Sequence, residues 1–457
     1  MSTALTIVGL GPGSPSLRTL AAQRALDAAE SIILRTAIHP GLLDLTEDPR
    51  VTTCDDLYES SKRFDEVYQA IVERVAAKAI AGDVVYAVPG HPFCGESTVR
   101  AVMDRLSGSE VSLTIIDGIS AVDSMATSLH EDVLLHEVQI LDALHLSAAN
   151  DAEPYAGGLV EFAPTRPCLI LQVYSRAVAS AVKLELMRVY PAEHDLAVVT
   201  ASGSEEPADV IWCSLHELDH QSVNHLTTVW LPALDSLAAF RSIAMLQRVV
   251  ARLRAPGGCP WDRAQSHSSL RSAVVEESYE VVDAIEEEDP DALSEELGDL
   301  LFQPLMHAQI AAEAGAFTFE DVVEHATRKL VRRHPHVFGD ACAATPSDVI
   351  AMWESVKAEE RRNKGQTRVE ADMNPFDRLP RSMPAAVRVA HVVADKRQAP
   401  EQADAAERDR LGNALFDAIA ALARAGFDPE IEIERTARRR LQTTDNTQTV
   451  SDFDPIP

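Results

Sequence analysis

Along the first 230 or so residues, short apolar runs rich in β-branched residues alternate with alanine-rich stretches of helical period. The runs are LTIVGL at 5–10, VVYAV at 84–88, LTIID at 113–117, CLILQVY at 168–174 and LAVVTA at 196–201. That alternation predicts an α/β fold. From about residue 236 the strand-like runs stop, and apolar positions recur at three and four, as in Leu237, Phe240, Ile243, Leu246, Val249, Val250 and Leu253. The second half is therefore expected to be all-α. The change falls in VWLPALDS at 229–236, where Pro232 ends the last strand-like run. A polar, proline-punctuated stretch without period, 362–384, reads as a connector.

The helical half repeats itself. LGDLLF at 297–302 recurs as LGNALF at 411–416, and AGAFTFEDVVEHATRKLVRR at 314–333 is echoed by AGFDPEIEIERTARRRLQ at 425–442. The copies differ in charge, because Glu296 and Asp299 of the first become Arg410 and Asn413 in the second. Only the first copy can hold a cation by these groups.

Length and charge narrow the picture. At 457 residues the chain exceeds one compact core, so two or three domains are expected. With 71 acidic against 41 basic residues the formal charge is −30, which argues against a large nucleic-acid surface. The expected partners are small molecules, cations or copies of itself. The opening MSTALTIVGLGPG lacks a basic segment, and no apolar stretch approaches the roughly 20 residues that span a bilayer. A soluble cytoplasmic protein with no membrane contact is expected. The six cysteines lie far apart with no CxxC pair, against both a disulfide framework and a zinc site.

Twelve acidic residues and no Lys or Arg lie between Glu276 and Asp299. An acidic run alone describes a solvated helix face, but this spacing is more particular. Glu277 and Glu280, three apart, project from one face of a predicted helix, and Glu296 and Asp299 repeat that geometry on the next. Asp289 is a good N-cap for the second helix, and Pro290 suits its first turn. Val274, Val281, Val282 and Ile285, with Leu297, Leu300 and Leu301, supply packing surface for an antiparallel hairpin. Four carboxylates brought together repel, and a divalent cation neutralises them. All-oxygen donors favour Mg²⁺ or Mn²⁺ over zinc. Downstream, Arg328, Lys329, Arg332 and Arg333 could cradle a polyphosphate or simply pair with the acidic helices.

In the first half, three glycine-containing loops follow strands: VGLGPGSP at 8–15, PGHPFCGE at 89–96 and DGISAVDS at 117–124. Loops at the carboxyl ends of strands can line one crevice, where α/β folds bind ligands. Glycine there permits close approach of backbone to a ligand or to a packed helix.

GCPWDRAQSHSSL at 258–270, EESYEVVDAI at 276–285, EELGDLLFQ at 295–303 and KLVRRHPHVFGD at 329–340 resemble the MazG nucleoside triphosphate pyrophosphohydrolases. Their signature is EExxE, a gap of 12 to 28 residues, then ExxD, and the gap here is fifteen residues, 281–295. The resemblance implies an all-α fold that cleaves NTP to NMP and pyrophosphate with Mg²⁺. It makes Glu277, Glu280, Glu296 and Asp299 the metal ligands, with Glu276 a supporting or water-orienting carboxylate. Lys329 and Arg333 would contact phosphates as part of the catalytic set, with Arg332 beside them a further substrate-binding candidate. Trp353 would lie near the base with Lys357 one turn on, and Trp261 would be structural. LPRSMPAAVRVAHVVADK at 379–396 resembles the start of a second MazG copy, but its EExxE is absent, so catalysis would reside in the first.

The glycine loops, with VKLELMRVYPAEHDLAVV at 182–199 and NHLTTVWLPAL at 224–234, resemble the tetrapyrrole (corrin/porphyrin) methylases. In arrangement the whole chain is similar to the YabN-type fusions of such a domain to MazG. That implies S-adenosylmethionine held by Gly9, Gly11, Pro12, Gly13, Pro89, Gly90, Pro92, Ser120 and Ala121. His91 stands where many methylases carry Asp, so it is read either as a general base or as a loop residue filling a former ligand position.

The expected organisation is a methylase-like α/β domain over 1–234, a MazG domain over 235–365 and a degenerate second copy with a tail over 379–457. The leading function is an Mg²⁺-dependent NTP pyrophosphohydrolase that self-associates, most simply as a homodimer. A methyltransferase with an accessory helical half is a second reading, against which the intact carboxylate set argues. A non-enzymatic cation-binding scaffold is a third.

Overall fold

The computed structural model describes residues 3–42, 44–60, 64–146, 162–363, 376, 379–393 and 405–442. It divides into two compact units, Met1–Ala264 and Gln265–Pro457. The division lies beyond the sequence boundary at 234/235 because the helix Ile243–Arg254 begins against the first unit. There Met245 packs on a core that also buries Leu234 and Ala239.

The first unit is built on two five-stranded sheets. One contains β1 (Ala4–Gly9), β2 (Ile32–Leu34), β3 (Val51–Thr53), β4 (Val84–Val88) and β5 (Ser112–Ile116) in the order β3-β2-β4-β1-β5, with every pair parallel. Parallel strands need crossover connections, and the helices that supply them cover both faces. Leu5, Ile7, Tyr86 and Val88 pack on one side with Val67, Ile71 and Val102 from the helices Phe64–Ala81 and Ser97–Leu106. Val8, Val85 and Ala87 point to the other, against Ala22 and Leu26 of the helix Leu20–Ala28. Burial on both faces is why the inner strands β1 and β4 read as apolar runs, whereas the edge strand β5 is largely exposed.

The second sheet orders β6 (Gln139–Asp142), β7 (Cys168–Leu171), β8 (Asp195–Thr200), β9 (Asp209–Ser214) and β10 (Thr227–Leu231) as β6-β7-β10-β8-β9. Only β6–β7 is parallel, and the remaining pairs are antiparallel. Met125, on the helix Ala121–Leu129 that follows β5, packs against Leu169, Ala197, Val199 and Trp230 of this sheet. One helix therefore ties the end of the first sheet to a face of the second.

The second unit is helical among its described residues. The helices Arg271–Glu286 and Pro290–Glu313 form a hairpin, followed by Phe319–Arg333 and Pro346–Asn363. Ala405–Arg424 and Pro429–Gln442 then repeat the unit Pro290–Glu313 and Phe319–Arg333. Both copies turn at a glycine in the left-handed region, Gly315 at φ 68° and Gly426 at φ 78°, where a side chain would be strained. Of the expected connector, residues 364–375 and 377–378 lie outside the described residues.

The hairpin departs from the expected packing in one respect. Ala284 is buried, but Val282, Ile285, Leu297 and Leu301 are exposed within the single chain. Two helices bury only one stripe each, and these residues lie off that stripe. Among the described residues no helix is long and apolar enough to cross a membrane.

The glycine loops meet at the carboxyl ends of β1, β4 and β5. A Cβ on Gly118 would lie 2.1 Å from the Gly90 carbonyl oxygen, and one on Gly9 would lie 2.6 Å from the Gly118 nitrogen. Gly118→Ala should therefore destabilise the protein by roughly 1–3 kcal/mol, the usual cost of overpacking. Gly82→Ala, with nothing within 4 Å, should leave the thermal midpoint unchanged. Equal midpoints for the two variants would contradict this packing.

Candidate functional site

The hairpin turn sets the carboxylates in register. Glu288 adopts a left-handed conformation (φ 55°), and Asp289 caps the second helix by accepting from the backbone N–H groups of Asp291 (3.0 Å) and Ala292 (3.1 Å). Pro290 occupies the first turn as the sequence predicts. With the helices antiparallel, one carboxylate oxygen from each of Glu277, Glu280 and Glu296 lies within 4.8 Å of the others. Asp299 stands outside that trio, yet its charge acts on both Glu277 and Glu296. Glu276 is exposed.

Crowding of these carboxylates acts on their proton affinities. Partial desolvation, reinforced by the charges of Asp299 and Glu280, raises the Glu277 carboxyl above its ordinary range. Glu296 is raised in the same way, first by desolvation and then by Glu280 and Asp299. Among the described residues no Lys or Arg pairs with the trio. Its neutral support is Gln303, which is buried and donates from Nε2 to Glu277 Oε1 at 3.3 Å. Its own Oε1 is buried without a partner. Sequence reading missed Gln303, although its place four residues beyond Asp299 on the same helix offered a signal. A carboxylate set with raised proton affinity and a buried amide behind it suits a hard divalent cation.

The basic residues sit on the helix Phe319–Arg333, which packs beside the second hairpin helix. Lys329 is exposed and, among the described residues, has no ion pair, whereas Arg328 pairs along its own helix with Glu324. Arg332 and Arg333 both bond to Glu360 of the helix Pro346–Asn363. On that helix Trp353 meets His334 edge to face at 5.1 Å between centroids, and Lys357 Nζ lies 5.9 Å from the indole ring centroid. The indole N–H is buried without a partner. Among the described residues no ion pair joins these cations to the carboxylate trio. Trp261, expected to be structural, is 62% exposed. Sequence reading also missed His267 and His307, whose Nδ1 atoms lie 2.8 Å apart with the rings stacked.

In the first unit the structure gathers the expected loops at one end of the parallel sheet, and Gly11 and Gly90 form an isolated antiparallel bridge. Most of the glycines there serve protein contacts. A Cβ on Gly11 (φ 82°) would meet the Leu17 carbonyl oxygen at 2.9 Å, and one on Gly13 would meet that of Gly203 at 2.8 Å. Gly90 differs, since φ is 66° and nothing lies within 4 Å of its Cβ position. Pro12 packs on Gly203, while Pro89 and Pro92 flank the bridge loop. Ser120 caps the helix that starts at Ala121 in a reciprocal box with Asp123. Gly118, although within a loop the sequence singled out, was not named there as a site residue. His91 Nδ1 accepts from the Phe93 N–H at 3.1 Å, and its Nε2 faces Asp117 Oδ1 at 3.5 Å. Both ring nitrogens are engaged, which suits holding the loop better than abstracting a proton.

These two units match two family models. Residues 265–338 match the MazG nucleotide pyrophosphohydrolase domain, and residues 4–219 match the tetrapyrrole (corrin/porphyrin) methylases. Over 393 residues the chain is 35% identical to the uncharacterized protein YabN of Bacillus subtilis (strain 168), covering 85% of this chain and 76% of that one. The chain belongs to the YabN family, in which a tetrapyrrole methylase-like domain is fused to a MazG domain. Its helical part is 47% identical over 131 residues to the nucleoside triphosphate pyrophosphohydrolase/pyrophosphatase MazG of Thermotoga maritima, covering 29% of this chain and 49% of that one. It is 46% identical over 151 residues to the nucleoside triphosphate pyrophosphohydrolase of Escherichia coli (strain K12), covering 33% and 55% respectively. The chain thus spans about half the length of these two relatives. Uroporphyrin-III-C-methyltransferase from Thermus thermophilus aligns with a TM-score of 0.38 at 18% identity, over 51% of this chain and 93% of that one.

Because Glu277 and Glu296 hold protons more tightly folded than unfolded, metal-free stability falls as pH rises from the ordinary carboxylate range through their raised values. The loss is fully in place above those values. Glu277→Gln should therefore melt higher than wild type in EDTA at pH 7, and Mg²⁺ should raise the wild-type midpoint more than that of the variant. A variant that melts below wild type in EDTA would contradict the repulsion.

Proposed function

We propose that the helical unit hydrolyses nucleoside triphosphates to the monophosphate and pyrophosphate, using Mg²⁺ or Mn²⁺ held by Glu277, Glu280, Glu296 and Asp299. The observation that carries this reading is the convergence of three carboxylates across the hairpin, none of them ion-paired to Lys or Arg among the described residues. A bound Mg²⁺ there would offset the triphosphate charge and polarise the α-phosphoryl group toward in-line attack by water. Glu276, on the same helix, supports the set or orients the water. The new bond joins the water oxygen to the α-phosphorus, the bridge to the β-phosphate breaks, and the displaced proton passes to a nearby carboxylate or to solvent. Lys329, Arg332 and Arg333 bind the phosphates. Trp353 stacks on the base, with Lys357 beside it, and because stacking accepts any base the specificity is broad.

The reading includes a homodimer, supported by the apolar face left open by Val282, Ile285, Leu297 and Leu301. A cytoplasmic location is supported by six cysteines that are all free. In the first unit we propose an S-adenosylmethionine site formed by the loops carrying Gly9, Gly11, Pro12, Gly13, Pro89, Gly90, Pro92, Ser120 and Ala121. The open space at Gly90 supports it.

Incubation of the full chain with NTPs and Mg²⁺ should yield NMP and pyrophosphate, resolved by ion-exchange chromatography. Release of NDP and phosphate would reject the reading. Glu280→Gln should lower kcat/KM by about 100-fold or more, since even residues behind the ligands in metal sites typically contribute 10–100-fold. Full activity in that variant would remove the ligand set.

A further inference from the structure

The two arginines assigned to phosphate are not free in the ligand-free protein. Glu360 accepts from Arg332 Nε at 2.8 Å through Oε1 and from Arg333 Nη2 at 2.8 Å through Oε2, and Arg333 Nε adds a longer contact at 3.3 Å. Its side chain is only 14% exposed. Two guanidinium groups thus converge on a single carboxylate, leaving one positive charge in excess where they meet. The arginine forks complement the oxygens of a carboxylate or a phosphate in the same way. A polyphosphate carries more charge than one carboxylate and can satisfy both forks at once.

The neighbours of Glu360 point the same way. Trp353, Lys357 and Glu360 lie at i, i+4 and i+7 on one helix, so they share a face. That face meets the end of the basic helix, because Trp353 contacts His334 and Glu360 contacts Arg332 and Arg333. The indole N–H of Trp353 and Nδ1 of His336 are both buried without partners. The Glu360 carboxylate therefore sits at one end of a helix face that also carries a buried indole N–H without a partner.

We propose that Glu360 is a positioning residue that stands in for the substrate's phosphoryl oxygens, holding Arg332 and Arg333 together until a triphosphate displaces it. The inference rests on the reading of these arginines as phosphate ligands. It assigns Glu360 no contact with the reacting atoms. No bond forms or breaks at Glu360, and the exchange is of one anion for another. Its energetic effect is competition, so binding is weakened without loss in the chemical step. A residue that served only to tie the two helices together would act with the opposite sign, because removing it would scatter the arginines.

The sign decides the matter. Inorganic tripolyphosphate, titrated calorimetrically into the full chain without divalent ions, requires neither hydrolysis nor a base. Glu360→Gln should lower its dissociation constant about three- to tenfold, and Glu360→Asp, which keeps the charge but withdraws it by one methylene, should lower it less. In steady-state hydrolysis Glu360→Gln should lower KM by a similar factor with kcat unchanged, as expected for a change in uniform binding. Weaker tripolyphosphate binding by both variants, or unchanged binding, would overturn the proposal. If Glu360→Gln does not fold, the Glu360→Asp titration alone gives the sign. Loss of NMP formation with the expected tripolyphosphate order would reject the hydrolase reading and leave Glu360 as an anion stand-in.

Discussion

Mutual repulsion among carboxylates across a helical hairpin is the constraint around which the second unit is arranged. Glu277, Glu280 and Glu296 approach one another because a tight turn at Glu288 and Asp289 fixes the phase of both helices. Packing holds them there at an energetic cost visible in the raised proton affinities of Glu277 and Glu296. Behind them the buried Gln303 donates to Glu277, so the cluster is backed by a neutral amide. The rest of the unit answers that asymmetry. Its cations lie on other helices, and Arg332 and Arg333 are held by a carboxylate of their own, Glu360.

The first unit solves a different problem. Its glycine loops crowd against one another so closely that Gly9 and Gly118 have no room for a side chain, and Gly11 and Gly13 are filled by neighbouring backbone. Glycine content in a loop therefore says little about a ligand until its contacts are known. Gly90 alone among these combines a left-handed conformation with open space. The same crowding brings the ends of β1, β4 and β5 together, which fixes the rim of any crevice the unit possesses.

Much of this was legible in the sequence, and the exceptions have physical reasons. β1, β4, β7 and β8 stood out because most of their residues are buried on both faces, which writes an apolar run, while β5 carried a similar run although it is an edge strand with Ser112, Leu113 and Thr114 exposed. β2 and β3 are three residues each, and β9 is an edge strand with Val210, Ile211 and Trp212 exposed, so none carried that signal. The carboxylate trio was readable because i, i+3 spacing maps directly onto a helix face. Which cations would be free was not, since the pairing of Arg332 and Arg333 with Glu360 joins residues on different helices. Gln303 was hidden by its neutrality: an uncharged amide in an apolar stretch looks like any half-polar core position.

The internal duplication carries a consequence for how such a chain can diversify. The second copy keeps its turn at Gly426 but has Arg410 and Asn413 where the first has acidic groups. It also encloses Arg388 almost completely over Phe376, with Glu434 as its ionic neighbour. One sibling keeps the crowded acidic positions, while the other has a cation and a neutral amide in their place and carries no comparable repulsion. Divergence between twins lets a polypeptide keep a costly cluster in one place while its duplicate drifts free of the same constraint.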